Sequence, residues 1–154
     1  MRKSLLVGFL AALVVCAIVA GAQLFNKVKA TTSINSSIIT SDTTWTKANS
    51  PYSLTGPVKV NNGVTLTIAA GATVNLNGYY IRVEGTLVAR GTSSDKIYIN
   101  GGDDISSETG IHFWSACTSW NEQTGLGCII ENANFNSCPV SVYNIVKITN
   151  TDGG

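Results

Sequence analysis

After Pro57 the chain consists of short segments in which aliphatic residues alternate with polar ones, and glycine or asparagine closes the segments. Alternation with a period of two is typical of strands that bury one side. The aliphatic segments of the first two series lie at 58–60, 64–68 and 74–76, and then at 81–83, 87–89 and 97–99. Three strands therefore recur in the same order with a period of about 22 or 23 residues.

The pattern continues beyond residue 100 with a longer interruption. A third series covers 111–113, 128–130 and 133–135, with residues 114–127 bulging out as a loop, and a fourth covers 140–142 and 146–148. The closest internal match aligns 74–78 with 97–101, because both segments end in Asn-Gly. Repeats of this size bury a core only by stacking on their neighbours.

This periodicity predicts an all-β fold, namely a right-handed parallel β-helix of about three to four rungs over residues 45–154. The fourth series stops at Gly153 and Gly154. We therefore expect the domain to be incomplete at this end, or its open end to be covered by another molecule.

A basic start and a long apolar run characterise the N-terminus. Arg2 and Lys3 precede apolar residues 5–22, which is the layout of a signal peptide. Small-x-small cleavage sites lie at 20–22 and 28–30. The run is also long enough to cross a bilayer, so an uncleaved single transmembrane helix is the alternative. In either case, we expect residues 1–22 to form a hydrophobic helix that directs the protein to secretion or to the cell surface.

Serine and threonine dominate the stretch that follows this helix, and they make up more than half of residues 31–50. This composition is typical of an extended segment, so we expect residues 23–44 to form a spacer that lifts the folded domain off a membrane. Asn35 begins an Asn-Ser-Ser sequon. It is a candidate for N-glycosylation in a compartment that supplies the enzyme.

The charge distribution narrows the range of partners. Only 12% of the residues are charged, which suits short strands and turns better than amphipathic helices. From Trp45 onward, six basic residues stand against eight acidic ones. Phosphate binding requires clustered positive charge, so the sequence argues against nucleic acid as a partner.

Several segments of the chain share one arrangement of turn glycines and inward aliphatic residues. The segments that carry it are 45–46, 50–52, 63–71, 83–92, 110–113 and 130–133. They resemble the opening rungs of secreted β-helix proteins of the pectin-lyase-like superfamily, and the resemblance covers residues 45–150. One departure is Ala69-Ala70-Gly71, where a Glu-Pro-Gly turn is expected. The resemblance implies the fold and a secreted or surface location. It implies little about activity, because the matched positions are not catalytic groups.

Enzymes of that superfamily are expected to use aspartates with calcium and a basic residue, or a cluster of aspartates. Neither set is recognisable in this sequence. Asp103, Asp104 and Glu108 share one loop and could bind Ca²⁺, although a solvated turn is the simpler interpretation. We therefore expect no resident cofactor. His112 alternates with apolar neighbours and should point outward without a catalytic partner.

Three cysteines follow the export segment. A bond between Cys117 and Cys128 would close the base of the bulging loop in an oxidising compartment. The alternative pairing joins Cys117 to Cys138, because their separation approximates one rung. The sequence leaves both pairings open.

Aromatic residues are the clearest binding signal. Trp114 and Trp120 lie in or beside the bulging loop, and Tyr79 and Tyr80 end the first series. Outward aromatic faces on a solenoid suit stacking against sugar rings, although they could equally pack over the rung edges. These four residues are the candidate glycan-binding residues.

Three functional hypotheses follow. The sequence favours a non-enzymatic secreted or cell-surface module for adhesion, envelope structure or glycan contact, with polysaccharides or cell-envelope components as partners. The second is a carbohydrate-active enzyme, either a polysaccharide lyase or a glycoside hydrolase, which would need carboxylates stacked across successive rungs. The third is a self-assembling unit whose open β-helix end pairs with another copy.

Overall fold

The computed structural model describes residues 30–103 and 108–153, and the regular structure of these residues is entirely β. In chain order the strands are β1 Thr32–Ile34, β2 Ser37–Ile39, β3 Thr43–Trp45, β4 Tyr52–Leu54, β5 Val58–Val60, β6 Thr65–Ile68, β7 Thr73–Asn75, β8 Tyr80–Val83, β9 Thr86–Arg90, β10 Ile97–Asn100, β11 Gly110–Phe113, β12 Ile129–Glu131, β13 Ala133–Asn136, β14 Val140–Val142, β15 Lys147–Thr149 and β16 Asp152–Gly153.

The strands pair in parallel to form three sheets. Sheet A has the order β1-β4-β7-β10-β13-β16, sheet B has the order β14-β11-β8-β5-β2, and sheet C has the order β15-β12-β9-β6-β3. Each strand thus pairs with the third strand after it in the sequence, so each turn of the chain contributes one strand to each sheet. The architecture is a parallel β-helix of five rungs, β1–β3 through β13–β15, with β16 adding to sheet A.

The core is a stack of inward side chains in register. In sheet B, Val58 pairs with Ile81 and Ile81 with Ile111, and each of the three side chains is fully buried. Alternate residues of a strand point to opposite faces, which explains the period-two pattern of the sequence. Burying each such aliphatic side chain contributes about 1.5–3 kcal/mol, so every rung stabilises its neighbours.

The first rung differs from the sequence-based prediction. Strands β1 to β3 occupy residues 32–45, most of which were expected to form the spacer, and the five rungs exceed the three to four predicted. Ile34 and Ile39 pack against the core and Trp45 is buried within it. The abundant threonines concealed this rung because they suggest a spacer, yet β-branched threonine also fits the outward face of a strand.

The pairing of strands between the first and second series differs from the sequence match by two residues. The match of 74–78 with 97–101 aligns Val74 with Ile97, whereas in sheet A Val74 pairs with Ile99 and Asn75 with Asn100. The corner before β10 spans residues 91–96 and the corner before β7 spans only 69–72. This difference in corner length shifts the sequence period without disturbing the ladder.

The predicted signal or anchor helix, residues 1–22, lies outside the described residues. Within the part of the chain that the structure describes, no helix is long and apolar enough to cross a membrane.

Candidate functional site

Three columns of outward side chains cross sheet B. Tyr80, Arg82 and Glu84 alternate along and just beyond β8, and the register places Gly110, His112 and Trp114 beside them on the next rung. Pairing of β11 with β14 adds Pro139, Ser141 and Tyr143 on the rung after that. Stacking therefore gathers residues that lie far apart in the sequence onto one surface.

A cleft of about 230 Å³ opens on this surface, and we call it the sheet B cleft. It is lined by Tyr80, Arg82, Glu108, His112, Trp114 and Tyr143. A second hollow of about 350 Å³ shares Tyr80 and Arg82 with it and continues over Lys59 and Pro57 towards β2. The two hollows adjoin on sheet B because they share these lining residues, and we refer to them together as the groove; the volume of the second lies in the range of small-ligand sites.

Aromatic rings form the walls of the sheet B cleft. The ring centroids of Trp114 and Tyr143 lie 6.2 Å apart, and both side chains are largely accessible, at 42% and 69% exposure. On the other side, Tyr80 meets His112 edge to face at 5.9 Å. The Arg82 guanidinium lies 3.7 Å from the centroid of the Trp114 ring, which is a close cation–π contact.

The backbone fixes the position of these aromatic residues. Trp114 directly follows β11 and donates its N–H to the carbonyl of Val83 at 3.0 Å. Tyr143 directly follows β14 and donates to the carbonyl of Phe113 at 2.9 Å. The parallel ladder thus continues one residue past each strand, and the two side chains are held on neighbouring rungs by the fold itself.

Gly110 is required where β11 begins, beside the cleft. It adopts a φ of 127°, and a Cβ at this position would lie 2.1 Å from the carbonyl oxygen of Pro139 on the next rung. Only glycine therefore fits here. The same carbonyl accepts a hydrogen bond of 3.0 Å from the N–H of Ile111, so Gly110 permits the close approach of β11 to the residue before β14.

His112 has a defined protonation site. Its Nε2 lies 2.9 Å from the carbonyl oxygen of Glu108, and because a carbonyl only accepts, Nε2 carries a proton and donates it. This bond joins the floor of the cleft to the corner that supplies Glu108. The imidazole is thereby held in place as a polar wall of the cleft.

Glu84 neutralises part of the positive charge next to the cleft. Its carboxylate lies 2.8 Å from Lys59 Nζ and 2.5 Å from an Arg82 nitrogen. The hydrogen bond from Lys59 is the main cause that lowers the pKa of the Glu84 carboxyl; burial opposes it and the charge of Arg82 adds to it. Lys59, Arg82 and Glu84 together carry one net positive charge, and the carboxylate of Glu108, which also lines the cleft, offsets it.

This ion-pair cluster predicts a pH-dependent stability. Because the folded chain lowers the pKa of Glu84, the ionised carboxylate stabilises the fold above the ordinary pKa of 4.5, and the contribution is lost as the pH falls through the lowered value. We expect Glu84→Gln to lower the free energy of unfolding near neutral pH, and the difference from wild type to shrink below about pH 4.5. Urea unfolding at several pH values measures this, and a difference that stays constant down to about pH 3 would contradict it.

The four predicted aromatic residues are not brought together. Trp114 and Tyr80 line the sheet B cleft, and Tyr79 lies at the corner before β8. Trp120 lies over sheet C, where its ring contacts Lys147 at 5.0 Å and Arg90 at 5.5 Å. The rings of Trp120 and Trp114 thus lie on different sheets, and the role of Trp120 in glycan binding stays a prediction.

Sequence reasoning missed three lining residues. Tyr143 and Arg82 were not identified as candidates from the sequence. His112 does point outward but belongs to the cleft. Position relative to the strands was the signal that could have identified Tyr143 as a neighbour of Trp114, since Glu84, Trp114 and Tyr143 each directly follow a strand of sheet B.

The predicted calcium ligands lie only partly within the described residues, and their role stays a prediction. Asp103 is exposed in the corner after β10, Glu108 lines the sheet B cleft, and Asp104 lies outside the described residues. Across residues 30–103 and 108–153, no three His, Cys, Asp or Glu side chains come together in a metal-binding group.

Asn35 occupies the exposed turn between β1 and β2. Its Oδ1 accepts a hydrogen bond of 2.7 Å from Thr55 Oγ1 on the next rung. The sequon is thus at the surface, and its glycosylation stays a prediction.

Comparison of the chain with protein-family models, with curated proteins and with solved structures yields no match.

Proposed function

We propose that this protein is a non-enzymatic, secreted or cell-surface β-helix module that contacts glycans through the sheet B cleft. The observation that carries the proposal is the pair of exposed rings of Trp114 and Tyr143, set beside the polar side chains of Arg82 and His112. Adhesion and envelope structure are the roles that such a contact would serve.

The chemistry of the cleft supports a sugar ligand. A sugar ring offers an apolar face of C–H groups, which stacks on an aromatic ring, and a rim of hydroxyl groups that need donors and acceptors. The cleft provides both kinds of surface within one opening. In the adjoining hollow, the charged lining residues are Lys59 and Arg82, and their positive charge favours acidic sugars over neutral ones there.

The shape of the groove supports a chain rather than a single sugar. The sheet B cleft and the adjoining hollow share Tyr80 and Arg82 and extend from Tyr143 on the fifth rung to Ile38 on the first. A linear polymer lying across the rungs would meet successive rows of the same three columns. The proposed ligand is therefore a segment of an acidic polysaccharide.

The arrangement of carboxylates favours binding over hydrolysis. Glycoside hydrolysis needs a pair of carboxylates about 5–10 Å apart, one of them with a raised pKa. Glu84 has a lowered pKa and is held by two cations, and Glu131 lies on another sheet, against Arg90. With Glu84 held in ion pairs, Glu108 is the carboxylate that lines the cleft, and one carboxylate does not supply the pair that hydrolysis needs.

The location and finer classification complete the proposal. The basic, then apolar N-terminal segment supports export, with or without a membrane anchor. Parallel strands in one sheet are connected with a right-handed crossover in nearly all proteins, so the coil is proposed to be right-handed, as in the pectin-lyase-like superfamily that the sequence resembles.

A combined binding and product assay tests the proposal. The labelled full-length protein is applied to an array of pectins, other acidic polysaccharides and neutral cell-wall glycans, and the same mixtures are assayed for unsaturated and reducing ends. We expect binding to acidic polysaccharides without product. Release of product would establish an enzyme instead, and no binding to any glycan would refute glycan contact.

A further inference from the structure

One corner of the β-helix is much longer than its counterparts. Between sheets B and C, the chain needs only residues 84–85 in the third rung, but it uses residues 114–128 in the fourth. This 114–128 loop begins with Trp114 at the sheet B cleft and ends with Cys128 in the core. Away from its base, the loop also contacts sheet C, where Arg90 donates to the carbonyl of Gly125 at 3.0 Å and Lys147 pairs with Glu122 at 3.0 Å.

Backbone hydrogen bonds draw the two ends of this loop together. Cys128 donates its N–H to the carbonyl of Thr118 at 3.0 Å, and Thr118 donates to the carbonyl of Gly85 at 2.9 Å. The Cys128 thiol also lies 3.6 Å from that Gly85 oxygen. Cys117 and Cys128 consequently sit side by side above the corner of the preceding rung.

Both thiols are buried in one cluster. Cys117 is 3% exposed and Cys128 is fully buried, and both belong to the hydrophobic core. The hydrogen bond from Cys128 to Thr118, the residue after Cys117, places the two cysteines next to each other. Cys138 occupies a different corner, where its sulfur lies 3.8 Å from the carbonyl of Pro139. The structure thus separates the two pairings that the sequence left open.

We propose that Cys117 and Cys128 form a disulfide bond that closes the 114–128 loop at its base and keeps Trp114 at the sheet B cleft. In the reaction, one cysteine thiolate attacks a small disulfide such as oxidised glutathione and releases one glutathione thiol. The second cysteine then displaces the other glutathione. Two protein thiols lose two protons and two electrons, and one glutathione disulfide becomes two thiols.

Burial of the two thiols determines when the disulfide bond can form. It raises the pKa of Cys128 to about 12, and it also raises the pKa of Cys117. Because only the thiolate attacks a disulfide, the folded, reduced protein exchanges slowly. The bond therefore forms while the loop is still open, during folding in an oxidising compartment, and the completed core afterwards shields it from reductants.

Peptide mapping tests the bond directly. The full-length chain, exported by the expression host and purified without reductant, is alkylated with iodoacetamide in denaturant and cut with a glutamate-specific protease. Cleavage after Glu108, Glu122 and Glu131 places each of the three cysteines in a separate peptide. We expect peptide 109–122 linked to 123–131, with Cys138 alkylated. Alkylation of both Cys117 and Cys128, or a link to Cys138, would overturn the proposal.

A second readout examines the loop. Native protein is exposed to the same protease, and cleavage after the exposed Glu122 is timed for the wild type, for Cys128→Ser and for the matched control Cys138→Ser. Removal of a cross-link across a short loop should speed cleavage by about tenfold or more in Cys128→Ser only. Equal rates in all three proteins would show that no bond holds the loop. This test reads covalent structure and is independent of glycan binding.

Discussion

Replacing Trp114 with alanine is expected to weaken binding of an acidic polysaccharide by about 30-fold, because a central aromatic residue of a binding site typically contributes about 2 kcal/mol or more. Trp114 is the most central ring of the sheet B cleft, between Arg82 at 3.7 Å and Tyr143 at 6.2 Å. Its loss removes the stacking surface and frees the Arg82 guanidinium from its cation–π contact. Isothermal titration with the polysaccharide identified on the array measures the change.

Tyr98→Ala is the matched control for this experiment. Tyr98 is an exposed aromatic residue, at 46% exposure, but it lies on β10 in sheet A. Its replacement should leave the affinity unchanged, because it contacts no part of the cleft. If Trp114→Ala and Tyr98→Ala alter binding equally, or if neither does, the ligand does not use sheet B.

The substitution with the largest expected effect on stability is at one of the inward side chains of sheet B, which stack from rung to rung. Ile81 is fully buried between Val58 and Ile111 of the neighbouring rungs. Ile81→Ala should lower the free energy of unfolding by about 3 kcal/mol, since it removes buried methyl groups and leaves a cavity that a regular stack cannot fill. Urea unfolding of the full-length protein, followed by circular dichroism, gives this value.

Ile38→Ala provides the same substitution on the outer face of the same sheet. Ile38 lies on β2 and is 60% exposed, so its replacement should change the free energy of unfolding by less than about 0.5 kcal/mol. Equal destabilisation by the two substitutions would mean that the inward and outward faces of sheet B have been misassigned.

The fold could be predicted because each rung obeys the same local rule. Alternating aliphatic residues, as in Leu66 and Ile68 or Ile97 and Ile99, identified strands and their inward faces correctly. The number of rungs was harder to predict, because the first rung has few large apolar residues. Register also escaped prediction, since it depends on corner lengths, which no pattern of hydrophobic residues encodes.

The candidate site could be predicted only in part. Trp114 and Tyr80 were identified as exposed aromatics, but their proximity depends on the pairing of β8 with β11. Tyr143 lies far along the sequence and joins them through a second ladder, between β11 and β14. Trp120 was grouped with Trp114 because the two are close in sequence, whereas the 114–128 loop carries it over sheet C.

The 114–128 loop also bears on how this architecture could change its specificity. Strands β11 and β12 keep their register with the preceding rung on both sides of the loop. The pairing of the strands therefore does not depend on how many residues the corner contains. An insertion, a deletion or a grafted segment here would alter what borders the cleft and leave the stacked core in place. New ligand preferences could thus evolve, or be engineered, at a single corner without the rest of the coil having to adapt.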